Sequence, residues 1–488
     1  MALLCSDCGV NYADSEALRV CRRCGQPLSV TYDYDKIRET LSIKEISKRP
    51  FRLWRYLELL PITEEAQVVS LGEGGTYLHR CNRLAKSLRL KKLYLKNETT
   101  NPTGSFMDRG VTVTVTKVKE TGIRTVCCAP TGNLGSSLAA YAAKADLECR
   151  VFVSREVDLG KLYQMIAFGA DVQTARDIDD AYQKATRIAD RSYLVTPEDP
   201  YLLEGEKTIG YEICEQLDWH TPDFIVVPMG SGGNLSMIWR GIQEFLQIGL
   251  IRNSHTVMAG IQSSSHSPIV DAFKGARKLE ESKGEGRSLA VDIAVKNPPL
   301  GDAALKVIEA SKGIATSVSD NEILEATRLL AKTEGIFAEP AAGSTIAGLT
   351  KLVESGEVAR DQEVVCIITG SGLKDPYTAR KFADEMKRTR KLVNSIDEGR
   401  DVRLGGTKMN ILKILQNREL YGYGIWKELL TYHSKKVTMP TVYQHLQEME
   451  MRGLLKRTRR EESVGRPDRW YYILTERGRE ALKAFSRL

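Results

Sequence analysis

Four cysteines near the N-terminus carry the first recognisable chemistry. Cys5 and Cys8, then Cys21 and Cys24, form two C-x2-C pairs separated by twelve residues, each followed by a glycine, Gly9 and Gly25. Four thiolates at this spacing can close a tetrahedral shell around Zn2+, which leaves no position for a reacting water and makes the metal structural. Redox thiols or an unmetallated loop are the alternatives. Six further cysteines are scattered along the chain, a pattern that suits a metal site in a reducing compartment better than a disulfide scaffold. Glycine signals a second chemistry. An apolar strand expected at 224–227 ends at Pro228 and opens the loop Met229-Gly-Ser-Gly-Gly-Asn-Leu235. Clustered glycines let backbone amides converge on an anion. Positive charge is the third signal. Residues 401–488 hold 18 Lys and Arg against 10 Asp and Glu, while the first 400 residues are almost neutral. That points to an anionic partner for the C-terminal end alone.

A chain of 488 residues with 27% charged side chains is expected to be globular, with two to four domains. Its apolar runs are too short for a membrane span, and no basic-then-apolar leader opens it, so a cytoplasmic location without membrane association is expected. Lys91–Lys96 reads as a strand with Leu93 and Leu95 on one face, feeding the Asn97–Gly104 turn. Ser105 is placed to cap the following helix, with Asp108 in its first turn. Strands are also expected at 126–129, 150–154, 171–174 and 364–368, with a small-residue helix at Ser136–Ala145. Short helices fill 36–64, and 268–300 forms a crossover near the site entrance. Strands alternating with helices predict an α/β fold with mostly parallel sheets covered on both faces.

Residues 96–110, Lys-Asn-Glu-Thr-Thr-Asn-Pro-Thr-Gly-Ser-Phe-Met-Asp-Arg-Gly, resemble the cofactor-lysine segment of threonine-synthase-like pyridoxal-phosphate (PLP) enzymes of fold type II, the tryptophan synthase beta superfamily. Pro130-Thr-Gly-Asn133, the 229–235 loop, Glu334-Gly-Ile-Phe-Ala-Glu-Pro340 and Thr369-Gly-Ser-Gly-Leu-Lys-Asp375 extend the resemblance. It implies a zinc ribbon at 1–35, a two-lobed body at 36–385 and a linker at 386–407. It also implies roles: Asn133 beside the PLP ring, Gly230, Ser231, Gly232, Gly233 and Asn234 around its phosphate, and Thr369 at its ring nitrogen. Thr131, Ser105 and Thr103 fall at substrate-binding positions. Three departures stand out: Pro130 and Ser371 replace a small hydroxyl residue and a histidine, and Met107 occupies the position of the Schiff-base lysine. A thioether has no nucleophilic nitrogen. Lys96, Lys117 and Lys119 lie close by in sequence, but none is in the matching register. PLP held non-covalently is therefore the expectation.

Residues 408–488 resemble the PadR group of winged-helix regulators through Tyr421-Gly-Tyr, Thr441-Val-Tyr, the Gly-Arg-Pro turn at 465–467 and the Tyr-x-Leu-Thr-x-x-Gly ending at 472–478. Thr441, Tyr443, Gln444 and His445 are expected on the groove-facing side of a recognition helix, with Lys435, Lys436, Arg457, Arg459, Arg460 and Arg466 on phosphates. The resemblance implies a homodimer on palindromic double-stranded DNA, although a winged helix can also serve as a protein dimerisation module. Two readings follow. One is a threonine-synthase-like pseudoenzyme that senses PLP, an amino acid or a phosphorylated metabolite and controls transcription. The other is an active PLP-dependent lyase, threonine synthase, with a fused regulatory domain, which requires either another amine or an altered residue at 107.

Overall fold

The computed structural model describes residues 1–13, 18–63, 65–129, 132–154, 157–275, 278–282, 286–385, 406–432, 437–461 and 469–485. The chain divides into two units, Met1–Phe382 and Ala383–Leu488.

The first unit begins with an antiparallel sheet in the order Asn11–Ala13, Ala2–Cys5, Leu28–Thr31. So few residues cannot enclose a core of their own. Leu3, Leu28 and Val30 accordingly pack into the apolar core of the larger body. Polar contacts fix the same junction: Tyr32 donates to Glu204 at 2.6 Å, Tyr34 to Glu244 at 2.7 Å, and Arg240 to the Val30 carbonyl at 2.6 Å.

The body is α/β with two sheets. Six strands run in the order Ile314–Val318, Val257–Ser263, Phe224–Pro228, Glu363–Ile368, Lys92–Asn97 and Leu78–Arg80, all parallel except the last. The second sheet is parallel throughout, in the order Asp171–Ala175, Glu148–Ser154, Thr125–Cys128, Tyr193–Val195. Fully apolar strands such as Phe224–Pro228 are buried along their whole length, as a sheet covered on both faces requires. The helix Met107–Glu120 is buried from Asp108 to Val118. Beneath it Arg109 bridges Glu98 at 2.6 Å and Glu212 at 2.7 Å, so its charge is matched inside the core.

Two details differ from expectation. Ser105 does not cap its helix: Phe106 stands at the N-cap position, and Ser105 is drawn into an antiparallel bridge with Gly370. The alanine-rich helix begins at Asn133, three residues before Ser136, because Gly132 at φ 150° makes the turn.

The second unit packs helices Gly406–Ile414, Gly422–Tyr432, Met439–Met451 and Glu476–Phe485 with an antiparallel sheet. Val442, Leu446 and Met449 are buried against Ile411, Leu412, Leu429 and Tyr472, as their helical spacing predicts. The expected two-stranded wing, Leu455–Glu461 with Arg469–Leu474, gains a short third strand, Leu420–Tyr421. Among the described residues, no helix is long and apolar enough to cross a membrane.

Candidate functional site

The loops that carry the expected site leave the carboxyl ends of adjacent parallel strands, where α/β sheets open toward ligands. Phe224–Pro228 delivers the glycine-rich loop, and its neighbour Glu363–Ile368 delivers Thr369 and Ser371. Lys92–Asn97, paired to that strand, leads into Thr103 and Ser105. Gly232 has φ +92°, and a Cβ there would collide with the Leu300 carbonyl oxygen. The loop therefore needs glycine for both conformation and space. It opens the fifteen-residue helix Gly233–Gln247, where Ser231 Oγ accepts from the Gly233 amide at 3.2 Å and the N-cap Gly232 offers no side chain. The other amides of this first turn favour an anion such as a phosphate.

Backbone bonds knit these loops together. The Phe106 amide donates to the Thr369 carbonyl at 2.9 Å, and the Ser371 amide to the Gly104 carbonyl at 2.9 Å. Thr103 is held by Asp108, its amide at 2.7 Å and its hydroxyl at 2.6 Å, and Ser137 reaches the same carboxylate at 2.6 Å. Burial raises the Asp108 pKa, and these donors oppose it. Asn133 places Nδ2 2.9 Å from Glu339 Oε2 and 3.4 Å from Asp292 Oδ2.

Sequence reasoning left four charged groups near this site without a role: Asp292 and Glu339, which contact Asn133, and Lys161 and Lys374, whose charges act on Glu339. Lys161 lies 3.0 Å from Asp292, 3.3 Å from Asp158 and 3.6 Å from Glu339. Burial disfavours its ammonium, but the charges of Asp292, Glu339 and Asp158 outweigh burial and hold its pKa well above the usual lysine range. Glu339 is pushed upward by burial against the pull of Lys161. Lys374 is buried with no hydrogen-bond partner among the described residues, and burial pushes its pKa down to about 8. Lys161 and Asp292 lie outside every motif, and the expected crossover at 268–300 supplies Asp292 rather than only a path past the site.

Met107 is half-buried and packs against the apolar core, offering no donor or nitrogen. Its sequence neighbours do not compensate. Lys96 is committed to Glu212 at 2.6 Å, Gln216 at 2.7 Å and the Thr76 carbonyl at 2.9 Å, and Lys117 pairs with Glu120 at 3.1 Å. Lys119 is exposed. Thr131 and Pro130 lie outside the described residues. The buried Ser105 Oγ, Asn133 Oδ1 and both amide atoms of Asn234 have no partner among the described residues. Unpaired buried polar atoms call for a ligand or water. Together with the amides of the helix start and the Thr369 hydroxyl, this set of donors and acceptors fits PLP.

At the N-terminus, the sulfurs of Cys5, Cys8, Cys21 and Cys24 all lie within 4.8 Å of one another. A tetrahedral Zn–S shell of about 2.3 Å bonds has S···S edges of about 3.8 Å, so the cluster fits zinc. Tyr12 Oη lies 3.2 Å from Cys21 Sγ, and this hydrogen bond is the largest of the influences that lower that thiol to about 6.

In the second unit Tyr443 and Gln444 are exposed on the helix Met439–Met451, and Thr441 shares a 2.7 Å hydroxyl contact with Thr438. His445 is half-buried, its pKa lowered by burial and by Lys408. Arg457 lies 2.9 Å from Glu450 and over the Trp470 ring; Arg459 lies 3.2 Å from Glu419 and over the Tyr471 ring. Arg460 sits in the strand Leu455–Glu461. Lys435, Lys436 and Arg466 lie outside the described residues.

Residues 69–370 match the pyridoxal-phosphate dependent enzyme family, and residues 411–484 match the transcriptional regulator PadR-like family. Threonine synthase of Methanocaldococcus jannaschii is 46% identical over 385 residues, covering 78% of this chain and 95% of the relative. That of Methanosarcina acetivorans is 42% identical over 387 residues, with 78% and 94% covered. In fold, the chain is similar to tomato threonine deaminase isoform 2, at TM-score 0.55 and 19% identity over 69% of this chain and 95% of that one. It is also similar to a fungal L-serine ammonia-lyase from Rhizomucor miehei, at TM-score 0.53 and 20% identity over 61% and 93%.

Proposed function

Because the chain belongs to the pyridoxal-phosphate dependent enzyme family, we propose that its body serves as the ligand-sensing half of a DNA-binding transcriptional regulator. The observation that carries this reading is Met107 in a site that keeps its glycine loop, Asn133 and Thr369. Gly230–Asn234 would hold the phosphate, Asn133 would lie at the ring oxygen and Thr369 at the ring nitrogen. When bound, PLP supplies an electron sink for carbanion chemistry. Met107 contributes only apolar contact and carries no proton between carbons.

The PadR-like domain supplies the output. A homodimer places two Met439–Met451 helices on a palindromic duplex, and a ligand that prefers one arrangement of the two bodies shifts DNA affinity by its differential affinity for the two states. The effector is PLP itself, or an amino acid or phosphorylated metabolite of threonine-synthase chemistry. The test uses protein verified by mass to carry Met107, assayed for phosphate release from O-phosphohomoserine. Absence of turnover, together with saturable PLP binding, supports the reading; turnover at ordinary enzyme rates contradicts it.

A second reading, an active threonine synthase with a fused regulatory domain, is favoured by the 46% identity to an enzyme of that name. It converts O-phosphohomoserine and water to threonine and phosphate, and needs both a second amine and a proton carrier. The phosphate-release assay separates the two.

A further inference from the structure

We propose that the ε-amine of Lys374 captures the carbonyl carbon of an aldehyde ligand in this cleft, PLP being the aldehyde that the donor set fits, and so makes the covalent bond that Met107 cannot. The inference rests on the cofactor-site reading above and extends it.

Position is the first argument. Lys374 ends the short turn Gly372–Lys374, five residues beyond Thr369, with its amide bonded to the Ser371 carbonyl at 3.2 Å. Its stem runs beside the loop that leads to Met107, since a Cβ on Gly104 would lie 3.5 Å from Lys374 Cδ. The same Glu339 whose carboxylate holds Asn133 at 2.9 Å acts on the Lys374 charge, as do Asp108 and Asp292. Lys374 thus shares its surroundings with the residue placed at the ring.

Availability is the second. An ammonium engaged in ion pairs is neither free to move nor easily deprotonated. Lys161 faces three carboxylates, and Lys96 makes three polar contacts. Lys374 Nζ, by contrast, is buried and unpaired among the described residues. A buried polar group without a partner costs stability, so its retention calls for a function.

Charge selects the ligand chemistry. Lys374 lies among Glu339, Asp108 and Asp292, with Lys161 already engaged by Asp292, Glu339 and Asp158. An added phosphate at Lys374 would meet these carboxylates, whereas a neutral carbonyl carbon would not. Burial lowers the amine to about 8, so an appreciable neutral fraction exists near physiological pH. In the capture step the nitrogen lone pair adds to the carbonyl carbon and a C=N bond replaces C=O. The amine's two protons leave with the oxygen as one water, and no oxidant or reductant takes part. Holding an aldehyde in this way suffices for sensing and requires no proton transfer between carbons.

The test incubates full-length, zinc-loaded protein with PLP at pH 6.5 and pH 8.5, measures binding by equilibrium dialysis, reduces with borohydride, and reads intact mass and peptide masses. The expected result is a retained PLP-sized mass on the peptide carrying Lys374, several-fold greater at pH 8.5, and reduced at least tenfold in Lys374→Met and in Lys374→Arg. Lys374→Arg keeps the charge and stem, and circular dichroism confirms that it is folded. Retained mass on Lys161 or any other lysine overturns the assignment. Binding by dialysis with no retained mass also overturns it while leaving the cofactor site standing; no binding at all overturns both.

Discussion

The backbone N–H of Phe106 donates to the Thr369 carbonyl at 2.9 Å, so residue 107 is tied to the ring-nitrogen loop by a bond independent of its side chain. The backbone that presents Met107 is thus held whatever side chain it carries.

That relationship makes a reversion informative. In the Lys374→Met background, Met107→Lys is expected to place a borohydride-stable PLP mass on the peptide carrying residue 107. An unlabelled peptide would show that residue 107 does not face the cofactor.

The proposed phosphate cradle depends on one backbone conformation. Gly232→Ala places a Cβ at φ +92° and against the Leu300 carbonyl, and should weaken PLP binding at least tenfold in equilibrium dialysis. Gly249→Ala, at φ +77° with open space around it, carries similar backbone strain and should leave PLP affinity unchanged.

Zinc should stabilise more than its own loop. Leu3, Leu28 and Val30 share the body's core, so metal loss exposes body surface as well as ribbon. One zinc per chain is expected by elemental analysis. Cys8→Ser, or chelation, should remove it and lower the melting temperature of the body by several degrees. A melt unchanged by complete zinc removal would contradict this coupling.

Glu206 gives a pH signature outside the ligand site. It is wholly buried, its Oε2 has no partner among the described residues, and burial raises its pKa from 4.5 to about 8. Between those values the folded state binds more protons than the unfolded state, so this group's contribution to stability falls as pH rises from 4.5 to about 8. Glu206→Gln should raise the melting temperature by a few degrees at pH 8.5 and change it little at pH 4.5. Equal effects at both pH values would contradict the shift.

Much of the site was legible because its pieces are local. The 229–235 loop, Asn133 and Thr369 each follow a short apolar strand, and strand-then-glycine patterns mark the carboxyl ends where ligands bind. Asn97–Gly104 was readable as a turn for the same reason. The start of the next helix was not, because Ser105 has a local capping option that loses to a bridge with Gly370, distant in sequence. The cluster around Asn133 was hidden more deeply. Lys161, Asp292, Glu339 and Lys374 come from four separate segments, and only the packing of the two lobes shows that Lys161 is saturated while Lys374 has no hydrogen-bond partner among the described residues. A search for a substitute amine along the sequence reaches Lys96 and Lys117, whose ammonium groups are engaged elsewhere.

The regulator account is tested most directly by linkage between PLP and DNA. Duplexes selected by the full-length protein from a random pool would be titrated with verified Met107 protein, with and without saturating PLP. The account predicts a change in DNA affinity of about tenfold, a coupling of ~1.4 kcal/mol, and by reciprocity the same change in PLP affinity on adding the duplex. DNA affinity unmoved by PLP, amino acids and O-phosphohomoserine, alongside turnover of O-phosphohomoserine, would contradict it and leave an enzyme with an attached domain.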